Sequence, residues 1–211
     1  SGRGLRERPP RVANRQMSPL DINFCQGRAR AEFRDGTPLS KTVSEIRAVR
    51  CEAKESTAAD AGSEGVANIG EAEEVWRLEA PFPPIEVLQW RCKLRDGQTG
   101  RPRVDPKTGG ELCDRERWFS LDNRRLYCLQ KAAASLWPKR TVVDVVELPA
   151  GGTLMSQRQL KKFRTQDRGR SIAIGGRGGT EARLQWCWRE AVGQRMEESE
   201  PEVDSCQVQL R

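Results

Sequence analysis

The middle of the chain alternates between short apolar strands and amphipathic helices. Ile22 and Phe24 are separated by a polar residue, which predicts a short strand. A turn signal, "RDGTP", follows this strand. Apolar residues then recur at the i, i+4, i+7 spacing of a helix face: Leu39, Val43 and Ile46. Thr37 or Ser40 is the expected N-cap of this helix, because a side-chain hydroxyl can accept from a backbone amide there.

A second group of elements follows the two prolines of "PFPPIEVLQW". The run "IEVL" starts a strand, and Trp118–Leu121 is expected to be the returning strand after a long loop, 95–117. The next helix carries an apolar stripe: Leu126, Leu129, Ala133 and Leu136. Pro138 ends that helix, and "TVVDVVEL" has the β-branched character of a buried strand. The order of elements predicts a small α/β domain over residues 18–148, with α+β as the open alternative.

Three segments of biased composition flank or interrupt this domain. Residues 1–17 are rich in arginine and are expected to form a flexible basic arm. Residues 52–80 hold eight acidic residues against two basic ones, which predicts a mobile acidic insertion with a short helix near Glu71–Leu78. Residues 149–211 combine a basic, glycine-rich segment with an acidic tail, and residues 152–190 carry nine Lys and Arg against three Asp and Glu.

The charge of the chain favours polyanionic partners such as nucleic acid, since the net charge is +7 and the pI about 9.3. Six basic residues of the glycine-rich segment are candidates to contact phosphates: Arg158, Lys161, Lys162, Arg164, Arg168 and Arg170. Trp186 and Trp188 could stack on bases, but burial in a core or interface is the favoured alternative. No apolar run approaches the ~18 residues of a membrane-spanning helix, so a membrane partner is not expected.

The chain has no histidine, which excludes histidine acid–base catalysis, Ser-His and Cys-His pairs, and histidine-containing metal sites. Its seven cysteines are widely spaced and form no CxxC pair, so neither a zinc site nor a disulfide framework is expected. Reduced thiols in an intracellular protein are the preferred interpretation, with the compartment left open.

The sequence "SLDNRRLYCLQKA" places Arg124 and Arg125 in the first turn of a helix. The helix dipole makes this end positive, so two cations there are disfavoured unless a partner stabilises them. Asp122 or Asn123 is the expected N-cap, and the remaining amides could converge with both guanidinium groups on a phosphate. The alternative is structural, because each arginine could pair with a carboxylate such as Asp122 or Glu147.

The "DNRRL" box and the elements around it resemble the N-terminal domain of ParB partition proteins and their ParB-like nuclease relatives, a superfamily that includes sulfiredoxin. The stretch "PLDINFCQGRARAEFRDGTPL" is similar to the opening strand and turn of that family. The resemblance implies a small mixed sheet with flanking helices and a phosphate cradle that binds CTP or ATP. It implies phosphate or nucleotide binding by seven residues: Gln26, Arg28, Arg30, Asp122, Asn123, Arg124 and Arg125.

Sulfiredoxins carry a catalytic cysteine inside this box. Asn123 stands at the corresponding position here, so reduction of cysteine sulfinic acid is disfavoured. Cys128 lies about one helical turn further on and is expected to be a small core residue.

Three functions fit these observations. The first is a nucleic-acid-binding protein, which would be a nuclease if Asp122, Asp144 or Glu147 held Mg²⁺. The second is a nucleotide-binding switch that hydrolyses CTP or ATP. The third is an inactive ParB-like domain that binds a protein partner or a second copy of itself. The sequence assigns no catalytic residue, and whether the protein is an enzyme stays open.

Overall fold

The computed structural model describes residues 13–51, 74–96, 99–148, 163, 165, 167–175 and 184–193, together with the backbone of residues 204–205. Within these residues, a seven-stranded mixed sheet and two smaller sheets combine with three helices, which confirms the predicted mixed α/β character. No helix in the described ranges is long and apolar enough to cross a membrane.

The strands are numbered in chain order: β1 (Arg15–Met17), β2 (Asn23–Phe24), β3 (Arg28–Arg30), β4 (Arg47–Arg50), β5 (Val75–Glu79), β6 (Ile85–Trp90), β7 (Leu112–Cys113), β8 (Arg117–Ser120), β9 (Arg140–Glu147), β10 (Ile172–Gly175), β11 (Leu184–Trp186) and β12 (Asp204–Ser205). The helices are α1 (Leu39–Glu45), α2 (Asn123–Ser135) and α3 (Trp188–Ala191), and a 3-10 turn covers Pro19–Asp21.

The large sheet has the strand order β2-β8-β6-β9-β5-β4. β6 and β8 form an antiparallel hairpin that pairs Val87 with Ser120 and Trp90 with Arg117, as predicted for the returning strand. β9 runs parallel to β6 and to β5, and β1 adds to it in the antiparallel direction. The β-branched run of β9 is central because alternate side chains, such as Val143 and Val145, enter the core.

Helix α2 packs its apolar stripe into the core. Leu126, Leu129 and Ala133 are buried and Leu136 is partly buried against them, as the spacing predicted. Cys128 is fully buried on the same helix, which confirms its predicted core position, and burial raises the pKa of its thiol to about 12. The helix therefore takes its orientation from the sheet and leaves its first turn at the edge of the fold.

Two local predictions are wrong. Residues 75–79 form a strand instead of part of a helix near Glu71–Leu78, because they pair with β4 on one side and β9 on the other. Pro38, and not Thr37 or Ser40, occupies the N-cap position of α1. Thr37 belongs to the preceding turn, where its backbone amide donates to Asp35 Oδ1 at 3.0 Å.

The predicted domain boundaries also change. Residues 15–17, assigned to the flexible arm, form β1. Part of the C-terminal segment 149–211 belongs to the fold, because β10 pairs in parallel with β3 and Trp188 is buried in the core. Residues 1–12 and 52–73 lie outside the described residues, so the predictions of a mobile arm and a mobile acidic insertion stay predictions there.

The connection between β6 and β8, residues 91–116, is not the simple loop that the sequence predicted. Three backbone hydrogen bonds close a ring: Leu94 N to Leu112 O (2.8 Å), Leu112 N to Arg103 O (2.9 Å) and Arg103 N to Leu94 O (2.8 Å). The pattern D-x-x-T-G occurs twice between these short strands, and in each copy the glycine amide donates to the aspartate carbonyl: Gly100 to Asp96 at 2.9 Å and Gly109 to Asp105 at 2.8 Å. We call this unit the 91–116 meander. Its strands are too short to show periodicity in the sequence.

A glycine attaches the C-terminal segment to the sheet. Gly169 has a φ of +77°, and its carbonyl accepts from the amide of Phe24 in β2 at 2.8 Å. A Cβ at this position would lie 2.2 Å from the Phe24 carbonyl oxygen. The backbone of residue 169 thus supplies a ladder-like bond to an edge strand, and only glycine permits the approach.

Candidate phosphate-binding cleft

An open cleft of about 1470 Å³ lies between β3, α1, the loop before β6 and the first turn of α2. All seven residues that the resemblance selected line it: Gln26, Arg28, Arg30, Asp122, Asn123, Arg124 and Arg125. The two groups meet because β2 runs parallel to β8, so the residues that follow both strands reach the same edge of the sheet. The structure therefore brings the predicted residues together, although it gives them different roles.

Asn123 holds the floor of the cleft in place. Its side chain is buried, with 6% exposure. Its Oδ1 accepts from the Cys25 amide at 2.9 Å, and its Nδ2 donates to Cys25 Sγ and to Gln26 Oε1, both at 3.2 Å. The side-chain oxygen and nitrogen of Asn123 thus both have hydrogen-bond partners within the protein. Asn123 is therefore a positioning residue that fixes the end of β2 to the start of α2, and direct contact of its side chain with a phosphate stays a prediction.

Asp122 is the N-cap residue of α2 by position, but its side chain makes no capping hydrogen bond to the helix. Its Oδ2 instead accepts from the Glu86 amide of β6 at 3.1 Å, and its Oδ1 lies 3.4 Å from Arg125 Nη1. The carboxylate thus connects the helix to the neighbouring strand. Asp122 thus supplies no side-chain cap to the first turn of α2, and residues 122–125 of that turn line the cleft.

Arg124 is oriented by a carbonyl and an aromatic ring. Its Nη1 donates to the Glu32 carbonyl at 2.8 Å, and its guanidinium carbon lies 5.6 Å from the centre of the Phe33 ring. No carboxylate pairs with Arg124 among the described residues, so its charge is not neutralised there by an ion pair. A carboxylate partner, which was the structural alternative for this arginine, is therefore not found for Arg124 among the described residues.

Arg125 fits the structural alternative better. Its guanidinium forms an ion pair with Asp122, in which the two side chains are 28% and 19% exposed, and it lies 5.7 Å from the Phe82 ring. The pair is long, at 3.4 Å, and partly solvated, so it contributes only about 0–1 kcal/mol. Arg125 can therefore serve as a structural partner of Asp122 and still present hydrogen-bond donors to the cleft.

Sequence reasoning missed four residues that shape the cleft: Phe33, Arg34, Lys41 and Phe82. Phe33 and Phe82 come from separate loops, and their ring centres lie 6.4 Å apart. Arg34 continues the spaced arginines of "GRARAEFR", which was the one available signal in the sequence. The residues around Phe82 do not indicate that it lines the cleft, because the position of the loop before β6 depends on how the strands of the sheet pair.

Contacts within the protein engage most of the carboxylates that line the cleft. Hydrogen bonds from the backbone and side chain of Thr37 lower the pKa of Asp35, with a small further contribution from the positive charge of Arg124. Glu45 pairs with Lys41 at 3.9 Å, one turn earlier on α1. These contacts keep Asp35 ionised and hold it in the turn.

The carboxylates proposed for Mg²⁺ do not form one site in the described structure. Asp144 accepts from Gln16 Nε2 at 2.9 Å and pairs with Arg77. Glu147 pairs with Arg15 at 2.9 Å. Neither of them lines the cleft that contains Asp122, and the described residues contain no group of three or more His, Cys, Asp and Glu placed to hold a metal. A bound Mg²⁺ stays a prediction.

Two of the C-terminal candidates are described, Arg168 and Arg170, and neither of them lines the cleft. Arg168 Nε lies 3.4 Å from Asp114, a buried carboxylate that also pairs with Arg117 at 3.1 Å. Arg168 therefore has a structural partner, while Arg158, Lys161, Lys162 and Arg164 lie outside the described residues. Trp188 is buried, and Trp186 packs edge-on against Tyr127 at 5.7 Å, so both rings take part in packing.

Six of the seven cysteines are described, and no disulfide joins any two of them: Cys25, Cys51, Cys92, Cys113, Cys128 and Cys187. Burial raises the pKa of the Cys92 thiol to about 11. Thiolate chemistry at neutral pH is disfavoured at Cys92 and Cys128, since the thiolate is the reactive form.

Comparison with known proteins adds no relative: no family model matches the chain, and no curated protein or solved structure does.

Proposed function

We propose that this protein binds nucleic acid and that the cleft holds its phosphate backbone. The charge of the cleft wall carries this proposal, because six cations line it: Arg28, Arg30, Arg34, Lys41, Arg124 and Arg125. Four carboxylates line it as well, and contacts within the protein engage three of them: Asp35, Glu45 and Asp122. Phosphates would satisfy the guanidinium groups and the uncapped amides of α2 together.

The shape of the cleft favours a polymer over a small molecule. Its volume of about 1470 Å³ exceeds the ~300–1,000 Å³ of usual small-molecule pockets. Arg28 and Arg30 are both exposed and project from the same face of β3, because side chains two residues apart on a strand point the same way. Successive cations on an open wall are suited to successive phosphates.

A free nucleotide is the second candidate. Phe33 and Phe82 are partly buried in the cleft wall and provide aromatic surface near Arg124 and Arg125. A base could stack on such a surface while its phosphates reach the start of α2. This arrangement would agree with the ParB-like resemblance of the "DNRRL" box, for which membership of that superfamily is likewise a proposal.

The test is a fluorescence anisotropy titration of a labelled 20-base-pair duplex across a salt series. The variant Arg28→Gln/Arg30→Gln removes two cleft cations, and Arg47→Gln/Arg50→Gln on β4 is the matched control with the same change in charge. We expect the slope of log K against log [salt] to fall by about 1.8 in the cleft variant, since each lost phosphate contact removes about 0.9. An unchanged slope in the cleft variant would refute the assignment.

Calorimetric titration with CTP, ATP and GTP separates the second candidate from the first. Binding of one nucleotide without binding of any duplex or single strand would favour the nucleotide site. Absence of both would leave the interpretation as a protein-interaction domain.

A further inference from the structure

A second cationic surface lies on the 91–116 meander. Residues 91–117 carry eight Lys and Arg against five Asp and Glu. Contacts within the protein hold four of these acids: Asp96, Asp105, Glu111 and Asp114. Four exposed cations make no ion pair with any described residue: Arg101, Arg103, Lys107 and Arg115. Solvent-facing positive charge therefore dominates this unit.

The meander is held in a fixed shape. In its first turn, the Asp96 carboxylate accepts from the amide of Thr99 at 2.7 Å and from its hydroxyl at 2.8 Å. In the second turn, Asp105 accepts in the same way from the Lys107 amide at 2.8 Å and the Thr108 hydroxyl at 3.0 Å. Together with the closed ring of backbone bonds, these contacts fix the backbone that carries the cations before any partner binds, which lowers the entropic cost of binding.

The base of the meander adds more guanidinium groups. Asp114 is 1% exposed and is shared by Arg117 and Arg168. Burial lowers the pKa of Arg117; Asp114 opposes this, while the positive charges of Arg115 and Arg170 lower it further. Two guanidinium groups thus share one carboxylate, and the charges of two further arginines act on Arg117, so an anion bound there would reduce the repulsion among these cations.

The meander and the cleft lie at opposite ends of the β6–β8 hairpin. The cleft includes residues 81–83, just before β6, whereas the meander begins after Trp90. Six residues of strand separate them by about 20 Å, at about 3.3 Å per residue. A mononucleotide is too short to reach both ends. A duplex spans this distance with about six base pairs, at about 3.4 Å each.

We propose that the 91–116 meander is a second contact for the phosphodiester backbone, so that one nucleic acid strand or duplex engages both ends of the β6–β8 hairpin. This inference rests on the proposed function, because it takes nucleic acid as the partner. It adds that the cations outside the cleft raise affinity only for polymers long enough to reach them. The reason is that a polymer bound in the cleft has a high effective concentration at the second contact.

The test compares the full-length chain with Arg101→Gln/Arg103→Gln/Lys107→Gln, using Arg47→Gln/Arg50→Gln/Lys139→Gln as the control of equal charge. Thermal denaturation first verifies that each variant folds. With the 20-base-pair duplex, we expect the meander variant to bind on the order of tenfold more weakly, with a salt slope about 2.7 smaller. The control should retain the wild-type slope. DNA hairpins with stems of 4 and 12 base pairs should show a steep rise in wild-type affinity that the meander variant loses.

The outcomes separate the two proposals. If Arg28→Gln/Arg30→Gln weakens binding and the meander variant does not, the second contact is refuted and the cleft assignment stands. If only the meander variant weakens binding, the cleft assignment fails and the meander is the nucleic-acid surface. Competition by polyglutamate as effective as competition by duplex of equal charge would assign the meander to an acidic protein, against this proposal.

Discussion

Gly169→Ala tests how the C-terminal segment is joined to the sheet. The substituted Cβ would lie 2.2 Å from the Phe24 carbonyl oxygen and 2.9 Å from its amide nitrogen, both of which are backbone atoms that cannot rotate away. The residue also keeps a φ of +77°, which costs an alanine about 1–2 kcal/mol. Moving residue 169 away would break the 2.8 Å bond from the Phe24 amide, a further ~1–3 kcal/mol for a buried donor.

The neighbouring core adds to this cost. Phe24 and Phe119 are fully buried, and the added Cβ would lie 3.0 Å from the Phe119 ring, so repacking costs about 1–3 kcal/mol. We expect Gly169→Ala to lower the free energy of unfolding by about 3–8 kcal/mol in total. Equilibrium urea denaturation followed by tryptophan fluorescence measures this change.

The matched control is Gly193→Ala. Gly193 has a similar φ of +73°, but an added Cβ there would meet nothing within 4 Å. This variant should lose only the stability that the strained backbone conformation costs an alanine, about 1–2 kcal/mol. A loss in Gly169→Ala within about 1 kcal/mol of the control would refute the close approach of residue 169 to β2.

Three further predictions concern buried polar groups. Asn123→Ala should lower the free energy of unfolding by about 1–3 kcal/mol in urea denaturation, because the buried Cys25 amide loses its acceptor. Asp114→Asn should cost about 3–5 kcal/mol by the same assay, because two arginines lose a buried charge partner. Raised pKa values of about 11 for Cys92 and about 12 for Cys128 predict slow alkylation at pH 8, measured by mass spectrometry.

The raised pKa values of these two thiols also predict how the free energy of unfolding changes with pH. The pKa of each thiol is higher in the folded chain than the reference 9.0, so the folded state binds the proton more tightly. The stability contributed by the neutral thiols is complete below pH 9 and is lost as the pH rises from 9 towards 12. Cys92→Ser/Cys128→Ala is the comparison variant. Equal loss of stability over this window in the variant and the wild type would contradict the assignment to these thiols.

Controls for the other two predictions are available in the chain. Asn123→Asp keeps an acceptor for the Cys25 amide, so it should destabilise less than Asn123→Ala. For Asp114, the exposed pair Arg50–Glu74 is the reference, and Glu74→Gln should change stability by less than about 1 kcal/mol. A loss at Asp114 no larger than at Glu74 would show that its burial has no energetic consequence.

The sequence by itself determined the elements whose signal is local. The stripe of α2 and the β-branched run of β9 are readable because hydrophobic periodicity depends only on neighbouring residues. The position of Arg124 and Arg125 at the start of a helix follows from the same pattern. The grouping of the seven cleft residues came from resemblance, and their meeting at one edge follows from the parallel pairing of β2 with β8.

The roles of those residues were decided by tertiary structure. Asn123 turns inward because the Cys25 amide, at the end of a two-residue strand, needs an acceptor once it is buried. Asp122 turns to the Glu86 amide for a similar reason and leaves the helix uncapped. No local pattern distinguishes a side chain that contacts solvent from one that completes the hydrogen bonds of a distant strand.

Apart from the β6–β8 hairpin, the sequence did not predict which strands pair with one another. Residues 75–79 lie beside an acidic segment, yet they form a strand because β4 and β9 offer bonding edges on both sides. β10 joins β3 across most of the chain, and the 91–116 meander closes on itself through three backbone bonds. Periodicity records which face of a segment is apolar, whereas its partner depends on which backbone groups are left to satisfy when the whole chain folds.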